Sequence, residues 1–182
     1  MKVVIGIDQA TLTGWAVLDT EGKYIDSGVF DTRGSGANRG ESPIVKNLRF
    51  EKWFTELCAN PDWTIAIICH EQTLPAHMLR NRSSWATTDF AIGLKTIMQM
   101  HCQKKKIVLM NAMPATVKKF ATGNGRAGKP EMIDVCNDWL SDDNNISQYC
   151  TKKRITNVFD DNESDAIHIA RYASGFVTES DK

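Results

Sequence analysis

The sequence lacks any arrangement of cysteines that would support a disulfide framework or a zinc ribbon. Its five cysteines are odd in number and widely scattered, and no two of them form a CxxC pair. No stretch approaches the roughly 20 apolar residues that a membrane-spanning helix needs, and the first residues do not resemble a signal peptide. The composition therefore predicts a soluble protein of a reducing compartment, the cytoplasm.

The sequence also lacks net charge, because 22 basic residues balance 22 acidic ones. The charges are nevertheless separated along the chain, since Asp89 is the one acid between Glu71 and Glu131. The ten basic residues of that interval are Arg80, Arg82, Lys95, Lys104, Lys105, Lys106, Lys118, Lys119, Arg126 and Lys129. A basic middle is typical of proteins that bind a polyanion, although solvated lysines on helix surfaces give the same composition.

The hydrophobic pattern predicts an α/β fold. We expect a mixed five-stranded sheet with an antiparallel hairpin at one side and helices covering it. The predicted strands are 3–7, 15–18, 23–30, 63–69 and 106–110, and the predicted helices are 43–58, 83–103, 114–120, 130–140 and 160–176. No internal repeat or long linker divides the chain, so residues 1–182 are expected to form a single domain.

Acidic residues lie at the ends of two predicted strands and at the start of the last helix. Asp8 ends the first strand and Glu71 ends the fourth, while Asp161 and Asp165 lie four apart and share one helix face. Strand ends at one edge of an open α/β sheet are where such folds place their chemistry. Carboxylates that meet there repel one another unless cations neutralise them, and such hard oxygen ligands suit Mg²⁺ or Mn²⁺.

Ordinary structural roles account for some of these acids equally well. Asp8 could belong to a simple turn after a core strand. Asp160 and Glu163 match a helix N-cap with its reciprocal acid. Asp165 has no such role, because it directly precedes the apolar residue Ala166 on the buried side of the helix.

Two further features could indicate a function, a glycine-rich segment and the four histidines, but their sequence details oppose it. The segment 123–129, GNGRAGK, has the spacing of a phosphate-binding loop, but Pro130 stands where Ser or Thr is required. It also follows a helix-like segment rather than a strand. The four histidines show no metal-ligand spacing with the cysteines, so we expect them to be surface or packing residues.

Four segments, taken in order, resemble a known family. They are VIGIDQATLTGWAV around Asp8, IAIICHEQ around Glu71, TGNGRAGKPEM around Lys129, and DDNESDAIHIA around Asp165. Over nearly its whole length the sequence resembles the RuvC-like Holliday-junction resolvases of the ribonuclease H-like superfamily, and especially their phage-borne members. The resemblance implies a ribonuclease H-like fold and a homodimeric endonuclease that resolves four-way DNA junctions by paired, metal-dependent hydrolysis.

The resemblance also implies roles for individual residues. Asp8, Glu71 and Asp165 would be catalytic metal ligands for two Mg²⁺ ions, with Mn²⁺ as a substitute. Lys129 would offset the charge that develops on the phosphate. As a solvated lysine at a helix N-terminus it would instead be disfavoured by the helix dipole, and this cost favours the functional role.

The fourth carboxylate of the site is less directly indicated. The family usually has an acid or a histidine three residues before the final Asp, and Asn162 occupies that position here. We choose Asp161 as the fourth ligand because it shares a helix face with Asp165. Asp160 and Glu163 remain alternatives.

Five basic residues are expected to hold the DNA backbone without reading its sequence. They are Arg80, Arg82, Lys118, Lys119 and Arg126. Family members often carry an aromatic wedge shortly after the strand-end Glu, whereas Leu74 stands in that region here. Three alternatives stay open: a nuclease of the same superfamily that cuts branched DNA or RNA–DNA hybrids, a DNA-binding protein whose metal site has decayed, and a nucleotide-hydrolysing protein.

Overall fold

The computed structural model of the protein describes residues 1–33, 41–72, 85–150, 158 and 160–178. The elements in these ranges are β1 (Lys2–Asp8), β2 (Leu12–Asp19), β3 (Tyr24–Asp31), α1 (Pro43–Cys58), β4 (Thr64–Glu71), α2 (Trp85–Lys105), β5 (Val108–Ala112), α3 (Pro114–Thr122), α4 (Lys129–Ser141), a 3₁₀ turn (Asp143–Asn145) and α5 (Asp161–Ser174). None of the helices in this part of the chain combines the length and the apolar character needed to cross a membrane.

The five strands form one mixed sheet in the order β3-β2-β1-β4-β5. β1, β2 and β3 pair antiparallel, whereas β4 lies parallel to β1 and β5 lies parallel to β4. This architecture confirms the predicted mixed sheet with an antiparallel hairpin side. Because β1 and β4 are adjacent and parallel, they end at the same edge of the sheet.

Helices cover both faces of β1, which explains why its sequence is almost continuously apolar. Side chains alternate between the two faces of a strand. Ile5 packs toward α1 and α2, among Phe54 and Leu94. Val4 packs toward α5, beside Ile169. The core therefore has two layers with the sheet between them.

Two strand glycines let α5 lie unusually close to the sheet. A Cβ atom built on Gly6 would be 2.3 Å from the carbonyl oxygen of Ala166, and one built on Gly14 would be 1.8 Å from that of Asn162. Gly14 is also the residue that pairs with Asp8 across β1 and β2. The first turn of α5 consequently rests on the sheet directly beside Asp8.

Every strand differs from its predicted bounds by one to three residues, and the differences in the fourth and fifth strands have clear physical reasons. The fifth strand is shifted two residues along the chain, because Lys106 adopts a left-handed conformation with φ of 57° and ends α2. The amide of Ile107 donates to the carbonyl of Cys102 in the same helix end. The fourth strand runs to Glu71 because β5 pairs alongside it as far as Ala112.

Candidate active site

Asp8 and Glu71 lie side by side at the ends of β1 and β4. Ile7 pairs with His70, so the two acids follow directly in register. Both share the strand face that packs on α5, because Asp8 follows Val4 and Gly6 by steps of two and Glu71 follows Cys69 in the same way. Burial holds the pKa of Asp8 well above its usual range, and the charge of Glu71 and a hydrogen bond with it add to this effect.

The first turns of α5 bring two more carboxylates to this place. Burial and, after it, the charge of Glu71 raise the pKa of the half-buried Asp165 to about 6. Asp161 acts in the same direction on both Asp165 and Asp8. The negative charges of Asp8, Glu71, Asp161 and Asp165 therefore act on one another in one region of the protein.

The contacts of the neighbouring acids favour Asp161 over its two alternatives. The carboxylate of Asp160 caps α5, since it accepts hydrogen bonds from two backbone amides of the first turn. The carboxylate of Glu163 accepts a hydrogen bond from the hydroxyl of Ser27 on β3. The charge of Asp161, by contrast, acts on both Asp8 and Asp165.

Lys129 contributes a cation from outside the sheet. It is the first residue of α4, its side chain is 72% exposed, and its ammonium group forms an ion pair with the carboxylate of Asp161. This hydrogen bond and charge raise the pKa of Lys129. Asp161 thus compensates for the unfavourable position of a lysine at a helix N-terminus.

Lys118 lies inside the site rather than on the outer surface. Together with Glu71 and Asp165 it lines a cavity of about 140 Å³, whose other walls are apolar. Its Nζ donates a hydrogen bond to the carbonyl of Ala127 at 2.8 Å. The charge of Lys118 lowers the pKa of Asp165 and so opposes the effect of burial. The sequence predicted that Lys118 contacts the DNA backbone. In the structure, Lys118 also shares a cavity with Glu71 and Asp165.

Known proteins are similar to this chain in sequence and in fold. No protein-family model matches the sequence. The crossover junction endodeoxyribonuclease RuvC of Neorickettsia sennetsu is 25% identical over 160 residues, which span 81% of this chain and 84% of that protein. A structure of Thermus thermophilus RuvC matches with a TM-score of 0.63 at 17% identity, covering 94% of this chain and 93% of that one. The chain is similar to RuvC in sequence and in fold.

Two other solved structures share the RuvC-like architecture. Thermus thermophilus RuvC in complex with a Holliday junction substrate matches with a TM-score of 0.65 at 14% identity, covering 96% of this chain and 94% of that one. The yeast mitochondrial Holliday junction resolvase Ydc2 matches with a TM-score of 0.60 at 14% identity, covering 94% and 78%. These likenesses confirm the ribonuclease H-like fold that the sequence motifs implied.

The carboxylates of Asp8, Glu71, Asp161 and Asp165 suit a hard divalent cation in their chemistry. Within the described ranges, no group of three or more His, Cys, Asp or Glu side chains is arranged as a formed metal site. The donor set nevertheless consists of carboxylate oxygens, which suit Mg²⁺ and Mn²⁺. The raised pKa values of Asp8 and Asp165 reflect burial and like-charge repulsion, and a divalent cation would relieve the repulsion.

The predicted DNA-backbone residues are described only in part. Lys119 on α3 and Arg126 in the loop before α4 are both exposed. Arg80 and Arg82 lie outside the described residues, as does Leu74. The loop that carries Arg126 follows helix α3 and its cap at Gly123, so it lacks the preceding strand of a phosphate-binding loop.

Sequence reasoning missed Gly14 as a site residue. Glycine is depleted in strand interiors, and one that persists there often marks the close approach of another backbone. In this RuvC-like chain, Gly14 faces the Asn162 carbonyl and so allows α5 to place its acids over Asp8. The signal was visible, but the approaching segment lies almost 150 residues away in sequence.

In the absence of divalent cations, Asp165→Asn is expected to stabilise the fold at neutral pH. Burial raises the pKa of Asp165 in the folded protein to about 6, whereas an exposed aspartate has a pKa of about 4. The folded state therefore holds this proton more tightly, and its stability falls as pH rises from about 4 through 6. Above that range the buried charge costs roughly 3 kcal/mol, which asparagine avoids.

Urea unfolding with a chelator between pH 4 and 8 measures this effect. Asp165→Asn should flatten the decline that the parent shows between pH 4 and 7. The exposed Asp138 of α4 supplies the control, because Asp138→Asn should leave the parent's pH dependence unchanged. A parent-like pH profile for Asp165→Asn would show that Asp165 does not belong to a buried acidic cluster.

Proposed function

We propose that this RuvC-like protein is a structure-selective DNA endonuclease that resolves four-way junctions by paired, Mg²⁺-dependent hydrolysis. The observation that carries the proposal is the convergence of Asp8, Glu71, Asp161 and Asp165 at one edge of the sheet. The names of the matched proteins support the substrate, since they include a crossover junction endodeoxyribonuclease and RuvC in complex with a Holliday junction.

In this proposal the four carboxylates hold two divalent ions at the end of β1 and β4. When bound, such a pair of ions generates a nucleophilic water at neutral pH and stabilises the leaving 3′ oxygen. The burial of Asp8 limits competing solvent around the site, which strengthens every charge interaction within it. Because the 3′ oxygen is the leaving group, the products would carry 5′ phosphates.

The lysines complete the charge balance around the scissile phosphate. The exposed ammonium group of Lys129 is free to turn from Asp161 toward a phosphate oxygen as negative charge develops there. Lys118 is held in the adjacent cavity by the Ala127 carbonyl, so a second cation faces the same region. These two lysines would stabilise the transition state from fixed positions on α3 and α4.

Binding of the junction involves surfaces beyond this site. Lys119 and Arg126 would contact backbone phosphates, with Arg80 and Arg82 serving the same purpose from outside the described residues. We propose a homodimer, because a four-way junction has two-fold character and two nicks are needed to resolve it. Residues 1–182 would form one nuclease domain acting on DNA in the cytoplasm, that of a bacterial host if the protein is phage-encoded.

Cleavage of a plasmid with an extruded cruciform tests the proposal. We expect Mg²⁺ or Mn²⁺ to support the reaction and a chelator to abolish it. Two nicks within one binding event give linear plasmid directly, as expected for a dimer, whereas independent single nicks accumulate nicked circles first. Ligation of the nicked products without a kinase would verify the 5′ phosphate ends.

Matched labelled substrates identify the competing functions. A four-way junction, a flap, a linear duplex and an RNA–DNA hybrid are compared at equal concentration and salt. Preferential cleavage of the flap or hybrid would favour a different nuclease of the superfamily. Tight junction binding with no nicking in Mg²⁺ or Mn²⁺ would indicate a binding protein and overturn the proposal.

A further inference from the structure

One backbone carbonyl in the first turn of α4 is hydrogen-bonded by two side chains of α5. The carbonyl oxygen of Met132 accepts a hydrogen bond from Ser164 Oγ at 3.1 Å and lies 3.0 Å from His168 Nε2. Both side chains are fully buried, with 0% exposure. Since polar groups are costly to bury without partners, these contacts fix how the two helices fit together.

The protonation of His168 follows from its two partners. A carbonyl oxygen can only accept, so Nε2 carries the hydrogen and donates it to Met132. Nδ1 is then an acceptor, and the guanidinium of Arg171 lies 3.1 Å from it. Burial lowers the pKa of His168 to about 4, so the ring is neutral at physiological pH.

Arg171 continues this contact to the far end of α4. Its guanidinium lies over the ring of Trp139, 4.5 Å from the ring centre. The chain of contacts therefore runs from Trp139 through Arg171 and His168 to the Met132 carbonyl. It ties α4 to α5 at the first turn and near the last.

This chain of contacts lies on the same stripe of α5 as the catalytic acids. Ser164 lies three residues after Asp161, and His168 lies three residues after Asp165, so the four residues follow one face of the helix. Lys129 begins α4 one turn before Met132 and pairs with Asp161. The fit of α4 on α5 consequently sets where the Lys129 ammonium group stands.

We propose that His168 is a positioning residue that, with Ser164, holds the first turn of α4 so that Lys129 lies beside the carboxylate site. The expected effect on nicking rests on the proposed nuclease function. The contact between α4 and α5 rests on the hydrogen bonds alone. His168 touches neither substrate nor reacting atoms, and it acts through Met132 and Lys129.

A comparison of two substitutions tests the role in cleavage. His168→Leu removes both hydrogen bonds and should lower the single-turnover nicking rate by about 10-fold to 100-fold, as expected when a catalytic group is misplaced by about 1 Å. His168→Gln retains an amide donor and an acceptor and should restore most of that rate. Junction affinity should change little in either variant.

A double-mutant cycle separates positioning from general destabilisation. In a Lys129→Met background, His168→Leu should cause little further loss of nicking, because the group that it positions is already absent. Full additivity of the two losses would overturn the proposal. His101→Leu, on α2 and packed against Phe54, is the control for loss of a histidine elsewhere and should show additive effects.

Hydrogen exchange tests the helix contact without reference to activity. Amides of residues 129–136 should exchange faster in His168→Leu than in the parent or His168→Gln, while those of residues 87–105 stay unchanged. Unaltered exchange at 129–136 would overturn the proposed contact. If the parent fails to cut any junction while this exchange difference is present, the nuclease function is wrong and the helix contact stands.

Discussion

Glu71→Gln is expected to abolish junction nicking while leaving junction binding largely intact. Glutamine preserves the size of the side chain at the end of β4 but removes its negative charge. That charge acts on both Asp8 of β1 and Asp165 of α5, so Glu71 lies close to both carboxylates. Mutating a residue that only supports a metal ligand typically lowers activity by about 10-fold to 100-fold. If Glu71 binds the metal directly, its loss should therefore reduce the nicking rate by at least about 100-fold.

Binding should survive because Glu71 contributes no phosphate contact. Removing one negative charge near DNA leaves the affinity equal or slightly tighter, and the difference should shrink as salt is raised. Nicking is measured in single turnover and affinity by a gel-shift titration in Ca²⁺ or chelator. Glu51→Gln, an exposed position on α1 across the sheet, is the matched control and should behave as the parent. Undiminished nicking by Glu71→Gln would contradict the assignment of the site.

The sequence predicted the sheet well because β1 and β4 are both short apolar runs that end in an acid. An apolar run ending in an acid is informative when both faces of the strand are buried, as they are for β1 between α5 and the α1–α2 layer. The start of α1 followed from Pro43 at its first position. The shift of β5 was not predictable from composition, because it depends on Lys106 taking a left-handed conformation.

The candidate site was predictable at the level of which acids meet, and less so for the residues around them. Strand ends place Asp8 and Glu71 by topology alone. The choice of Asp161 over Asp160 depends on which carboxylate caps α5, and the structure shows that Asp160 does so with an extended backbone. The inward position of Lys118 and the contacts of His168 arise from the packing of α3, α4 and α5, which are separate in sequence.

Gly14→Ala is expected to impair nicking nearly as strongly as loss of a metal ligand. Its new Cβ would lie 1.8 Å from the carbonyl oxygen of Asn162, so the strand and the first turn of α5 must separate. Overpacking of this kind costs about 1–3 kcal/mol. A shift of about 1 Å in Asp161 and Asp165 relative to Asp8 should lower the nicking rate on the order of 100-fold.

Two other strand glycines show whether the effect comes from position or from lost stability. Gly28→Ala places its Cβ 3.2 Å from the indole of Trp15, a side chain that can yield, so both stability and nicking should stay near the parent. Gly6→Ala meets the Ala166 backbone at 2.3 Å, one turn further along α5 from the Gly14 contact. If Gly6→Ala and Gly14→Ala lower the melting temperature alike but Gly14→Ala loses far more nicking, the close approach at Gly14 serves to place the acids. Equal losses of nicking at equal stability would mean that the two glycines only hold α5 on the sheet.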